Sequence, residues 1–156
     1  MAEYSADAIQ TVNPGESVIF DVATEPCARG LVRHRDGTGS FLLSGWSPRR
    51  SGCRCCGCNS DVDYLVIFGA NVVLPEGGTP GEVSLAIVVD GATVPASQMT
   101  ETLAAIGDVA NVSRSITVPI WRGCCETVAV RNTSDQPIQV QNANIIIKRP
   151  DLDGSN

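Results

Sequence analysis

The sequence predicts an all-β chain, an antiparallel jelly-roll sandwich folded as a single domain, and three observations carry that expectation. The 156 residues suffice for one sizeable core but not for two. The apolar residues are chiefly Val, Ile, Leu and Ala, with aromatics at 4% and one lysine, a composition that suits β-branched side chains on sheet faces. Many short apolar runs alternate with Gly, Pro and Asn punctuation, the spacing expected of a sandwich.

After a polar start, residues 8–12 read as a short strand, and Asn13-Pro14-Gly15 as a turn because Pro fixes φ and Gly tolerates positive φ. Residues 17–22 set Val18 and Phe20 against Ile19 and Asp21 as a second strand. Residues 30–35 and 40–44 flank Asp36-Gly37, the strongest hairpin signal in the chain. From Trp46 to Asp63 the apolar periodicity stops, and Ser, Pro, Arg, Gly, Cys and Asn make a long surface insertion.

Residues 64–74 form a long apolar run that reads as a strand buried on both faces, and Pro75 to Gly81 break it. In residues 83–90 the period of two puts Val83, Leu85, Ile87 and Val89 on one face, and Asp90-Gly91 is a second hairpin signal. Residues 97–111 alone have helical character, with Ser97 as a cap and Met99, Leu103 and Ile106 near helical spacing. Strands follow at 113–120, 126–132 and 138–148, the last broken near Asn142 to Asn144, with polar turns at 121–125 and 132–137. One domain over residues 1–150, an insertion at about 46–63 and a flexible tail at 151–156 result.

A net charge of −6 and a pI near 4.6 argue against a dedicated nucleic-acid binder, which presents a basic stripe to phosphates. The one basic cluster, Arg49, Arg50 and Arg54, reads as a solvated loop, with an anion site as the alternative. No stretch approaches the roughly 20 apolar residues that cross a bilayer, so no membrane insertion is expected. Residues 1–10 lack the basic and apolar regions of a secretory signal, which points to synthesis in a cytoplasm.

The seven cysteines are Cys27, Cys53, Cys55, Cys56, Cys58, Cys124 and Cys125, an odd count that leaves one thiol free or paired between chains. Four of them fall within Cys53-Arg54-Cys55-Cys56-Gly57-Cys58, where no regular strand or helix aims all four at one partner. Cys55 and Cys58 make one C-x2-C pair to which Cys124-Cys125 could add ligands, but the adjacent spacing suits disulfides better than a shared zinc. Counting strands up and down puts the insertion at one end of the barrel and Cys124-Cys125 at the other. That separation exceeds the roughly 4.4 to 6.8 Å between Cα atoms that a disulfide allows. Cross-links between neighbouring subunits then stand beside local closure or reduced thiols as alternatives.

No enzyme motif survives inspection. His34-Arg35-Asp36 has the wording of a kinase catalytic loop, but position 41 is Phe41 where that loop needs Asn, and no Gly-rich phosphate loop precedes it. A Cys27 nucleophile with His34 as base would lack a third, orienting group. Asn111-Val112-Ser113 and Asn132-Thr133-Ser134 match glycosylation acceptors and read as turn chemistry.

Tyr64 to Phe68, Val83 to Gly91, Thr127 to Asn132 and Ala143 to Lys148, in that order, make the chain resemble the globular heads of the C1q and tumour necrosis factor superfamily, in its bacterial or phage form. Asp61-Val62-Asp63 depart from the pattern, which usually has Gly two before the Tyr, and the aromatics are sparser than in eukaryotic heads. The resemblance implies a homotrimer whose three-fold contact is lined by apolar strand residues. No cofactor is expected, with zinc on the cysteines as the alternative. The expected function is a structural, self-assembling protein of a virion or a cell or spore surface, with neighbouring copies as partners. A receptor- or glycan-recognition head is the alternative.

Overall fold

The computed structural model describes residues 1–26, 30–46 and 61–150. Its strands are β1 (Ala2–Ala6), β2 (Gln10–Val12), β3 (Val22–Glu25), β4 (Val32–His34), β5 (Phe41–Ser44), β6 (Asp61–Val73), β7 (Gly81–Val89), β8 (Ala92–Thr93), β9 (Met99–Leu103), β10 (Val109–Trp121), β11 (Cys125–Asn132) and β12 (Ile138–Lys148). They form two antiparallel sheets. The first runs β10-β6-β12-β1-β3, with β2 also on β12, and the second runs β4-β5-β11-β7, with β8 and β9 both on the far side of β7.

The core lies between the sheets and is aliphatic around a small aromatic group. Phe20 meets Phe41 at 5.5 Å and Phe68 edge-on at 6.4 Å, offsets that suit the ring quadrupoles. Asp36-Gly37 joins β4 to β5 as expected. Asp90 and Gly91, at φ 48° and 82°, make the two-residue turn from β7 to β8, because that turn needs positive φ at both positions. The irregularity expected in the last strand is a bulge between Gln141 and Asn144, with Asn142 at φ 51°.

Four expectations are corrected. The polar start is itself a strand, since Ala2, Tyr4 and Ala6 turn inward while Glu3 and Ser5 face out. In residues 17–22 the alternation holds, with Val18 and Phe20 buried and Ile19 exposed, but the backbone is irregular until β3. There the Gln10 side chain replaces a strand neighbour, donating to the Ile19 carbonyl and accepting its N–H, both at 2.8 Å. β6 is fully buried on one face, and Leu65 and Ile67 on the other are half-buried. The strand covered on both faces is β7, where Ser84, Ala86 and Val88 are buried as well as Val83, Leu85 and Ile87.

The fourth correction is the helix expected at 97–111, which is replaced by a 3-10 turn (Pro95–Ser97), β9 and the start of β10. A spacing of four between Met99 and Leu103 fits a strand's period of two as well as a helix, and Ile106 is 53% exposed, so no helical face exists. Ser97 caps nothing. Its hydroxyl accepts the Ile87 N–H at 2.9 Å and contacts the Ile87 and Val94 carbonyls at 3.0 and 2.7 Å. It thereby fills the gap in the ladder between β8 and β9.

Candidate functional site

Residues from the ends of four strands meet at one end of the sandwich. Ser44, the last residue of β5, stands opposite Cys125, the first of β11. Trp121, the last of β10, stands opposite Asp61, the first of β6. Gly45 locks these pairs together: its N–H donates to the Cys124 carbonyl at 2.7 Å, and its own carbonyl accepts from Gly123 at 3.2 Å. A Cβ on Gly45 would fall 2.1 Å from the Trp121 carbonyl oxygen, so only glycine fits.

Beneath this turn the Tyr64 hydroxyl donates to the Ser44 carbonyl at 2.7 Å and lies 3.3 Å from that of Leu31. Arg149 is 4% exposed. Its guanidinium lies 5.7 Å from the Tyr64 ring centre and donates to the Trp46 carbonyl. Sequence reasoning missed Arg149, because a charged residue after the last strand carries no signal of burial. An open cleft of about 620 Å³ lies beside the cluster, lined by Gly30, Leu31, Arg33, Ser44 and Trp46. Trp46 and Trp121 are 55% and 61% exposed, and the Cys124 and Cys125 thiols are free and exposed.

The β7–β8 turn lies at this end too. The Asp90 carboxylate accepts the Thr127 N–H at 2.6 Å and its hydroxyl at 3.0 Å. Burial, and then the neighbouring Asp90 charge, hold the Glu126 carboxyl above the usual carboxylate range.

Cys27, Cys53, Cys55, Cys56, Cys58, Arg49, Arg50 and Arg54 lie outside the described residues, as do residues 47–60 of the insertion and the tail at 151–156. Their anchor points are described, and the strand ends that flank the insertion lie at the same end as the Cys124-Cys125 turn, not at the opposite end that the strand count implies. The flanks of residues 47–60, Trp46 and Asp61, adjoin the Cys124-Cys125 turn. Gly30, which follows residues 27–29, adjoins Leu31, whose carbonyl accepts the Ser44 N–H at 2.9 Å. β8 and β9 run back across the sandwich antiparallel to β7, where the sequence predicts a helix at 97–111, and this reverses the end at which β10 finishes.

The other candidates are structural. The His34 ring packs 4.9 Å from Tyr4 and 4.8 Å from Phe41, with its Nε2 2.9 Å from the Thr38 carbonyl. Asn132 is wholly buried and donates to the Val12 and Gln136 carbonyls at 2.9 and 3.0 Å. Asn111 lies on strand β10, not in a turn, and donates to Asn71 Oδ1 at 3.0 Å. Among the described residues no three His, Cys, Asp or Glu side chains gather as metal ligands.

A second surface is the outer face of the first sheet. Ser115, Ile67 and Ile146 stand in register across β10, β6 and β12, with Ser113, Gly69 and Asn144 in the next outward row. Leu65, Ile67 and Ile146 are half-buried there, surrounded by small or polar neighbours.

No family model matches the sequence, and no curated protein is similar to it at a significant level. Solved structures do match. The globular domain of zebrafish complement 1qA protein is 12% identical, with 93% of this chain and 94% of that one covered and a TM-score of 0.56. Eiger TNF from S. frugiperda is 11% identical, with 95% and 90% covered and a TM-score of 0.61. The chain has the C1q and TNF jelly-roll fold. The likeness spans 93% to 95% of the chain.

Proposed function

We propose that this chain is a non-catalytic, homotrimeric jelly-roll head of the bacterial or phage type. It builds a virion or a cell or spore surface through contacts with neighbouring copies. The outer face of the first sheet supports this reading. Leu65, Ile67 and Ile146 form an apolar centre bordered by Ser113, Ser115 and Gly69, with Glu3 beside Ile146 and Lys148 beside Leu65 at its rim, a small apolar patch with a polar edge that further copies can cover. The head works by surface contact, with no cofactor, no nucleic acid and no membrane insertion. It is synthesised in a cytoplasm and reaches the particle or surface by assembly or release.

A second reading is a trimeric head that recognises a receptor or glycan, favoured by the exposed Trp46 and Trp121 at the cysteine end. Aromatic faces that stand in water are suited to binding such partners. Light scattering on the eluted protein, with electron micrographs of the same fractions, separates the two. A discrete species of three times the 16.4 kDa chain mass supports the recognition head. Large or polydisperse species support the assembly protein, and a monomer at micromolar concentration would sink both.

A further inference from the structure

The cleft beside Ser44 has the volume and the lining of a small-molecule site. Its 620 Å³ or so falls within the roughly 300 to 1,000 Å³ that holds such ligands. Leu31, itself buried, supplies an apolar wall. Gly30, at φ 64°, adds no side chain, and a Cβ there would stand 4.0 Å from Arg33 Nε, so the Arg33 side chain lies along that wall. Among the described residues Arg33 has no hydrogen-bond or ion-pair partner, whereas Arg114, Arg131 and Arg149 each donate to a backbone carbonyl. No carboxylate is among the described lining residues. The Arg33 guanidinium therefore offers its fork of N–H donors to a ligand.

The Ser44 hydroxyl accepts the Trp46 N–H at 3.2 Å, which leaves its own proton to donate. The Trp46 indole is exposed, while its backbone is held at both the N–H and the carbonyl. An apolar ring face packs on the C–H face of a sugar ring, and a guanidinium pairs bidentately with a carboxylate. We propose that this cleft binds a sugar that carries a carboxylate, such as a uronic acid, whether free or at the end of a glycan. Arg33 takes the carboxylate, Ser44 donates to a sugar oxygen, and Trp46 packs on the ring. A net charge of −6 makes most of the surface unfavourable for an acid, so Arg33 also selects where it settles. The inference deepens the reading of the chain as a glycan-recognition head and rests on it.

The test titrates the full-length protein carrying Trp121→Phe, in which Trp46 is the one remaining tryptophan, with methyl glucuronide and methyl glucoside. The two sugars differ by the carboxylate. Calorimetry and Trp46 fluorescence should both show saturable binding of the glucuronide in the millimolar range, with the glucoside at least about tenfold weaker. Arg33→Gln should bring the glucuronide down to the level of the glucoside with the melting temperature unchanged, and Trp46→Ala should weaken both sugars by calorimetry. No saturation by the glucuronide at millimolar concentration, equal binding of the two sugars, or an undiminished preference in Arg33→Gln would each overturn the proposal. Light scattering on the same samples separates its failure from that of the recognition reading. A discrete trimer that ignores the glucuronide overturns the cleft assignment alone, whereas large species that bind it support the cleft and sink the discrete head.

Discussion

The guanidinium of Arg149 lies 5.7 Å from the centre of the Tyr64 ring, and the two residues hold the strand ends at the cysteine end from below. Tyr64 ties Ser44 and Leu31 through its hydroxyl, and Arg149 ties Trp46. Tyr64→Phe keeps the ring and removes the donor, which should cost about 1–3 kcal/mol in urea unfolding. Arg149→Met should cost a similar amount, and the double variant less than the sum, because the two side chains share one contact.

Gly45→Ala tests the backbone lock. The new Cβ meets a carbonyl oxygen and not a flexible side chain tip, so β5 or the 121–125 turn must move. A loss of roughly 2–4 kcal/mol in thermal or urea unfolding is expected. Gly69→Ala is the control for folding, since its nearest contacts are at 3.9 Å, and its stability should stay within about 0.5 kcal/mol of the parent.

Ser97→Ala should cost about 1–3 kcal/mol, because it leaves the buried Ile87 N–H without its acceptor. Hydrogen exchange offers the sharper readout. The Ile87 amide should lose protection while the Val88 amide, in the strand ladder, keeps it.

Ile67→Glu places a charge in the centre of the outer face of the first sheet. The expected result is dissociation to monomers by light scattering, with the far-ultraviolet β signature unchanged. An intact trimer would show that another face carries the contact.

Glu126 sets a pH dependence with a definite sign. Its folded pKa is raised, so its contribution to stability is fully present below the ordinary glutamate value and is lost as pH climbs through the higher folded value. Stability should therefore fall as pH rises above the ordinary glutamate value of about 4.3. Glu126→Gln should melt higher than the parent at pH 7, and the gap should close in acid, as measured by melting temperature against pH.

Much of the sandwich was legible because its signals are local. Asp90-Gly91 specifies a turn with two positive φ angles, and Asn142 tolerates the bulge that the pattern around it suggested. Residues 97–111 misled because a spacing of four serves both periods, and because Ser97, a good cap in sequence, completes a ladder with residues ten positions away. That one error propagated, since a missed passage across the sandwich reverses which end every later turn occupies. The burial of Arg149 against Tyr64 spans most of the chain, and no local pattern announces such a contact.

The break that Ser97 fills has a consequence for association. On its outer side the second sheet ends in lips of two and five residues, β8 and β9, and on the other in the three residues of β4. Lips this short give an incoming chain no long template of unpaired backbone groups to copy. Uncontrolled strand-by-strand growth is therefore discouraged along that sheet.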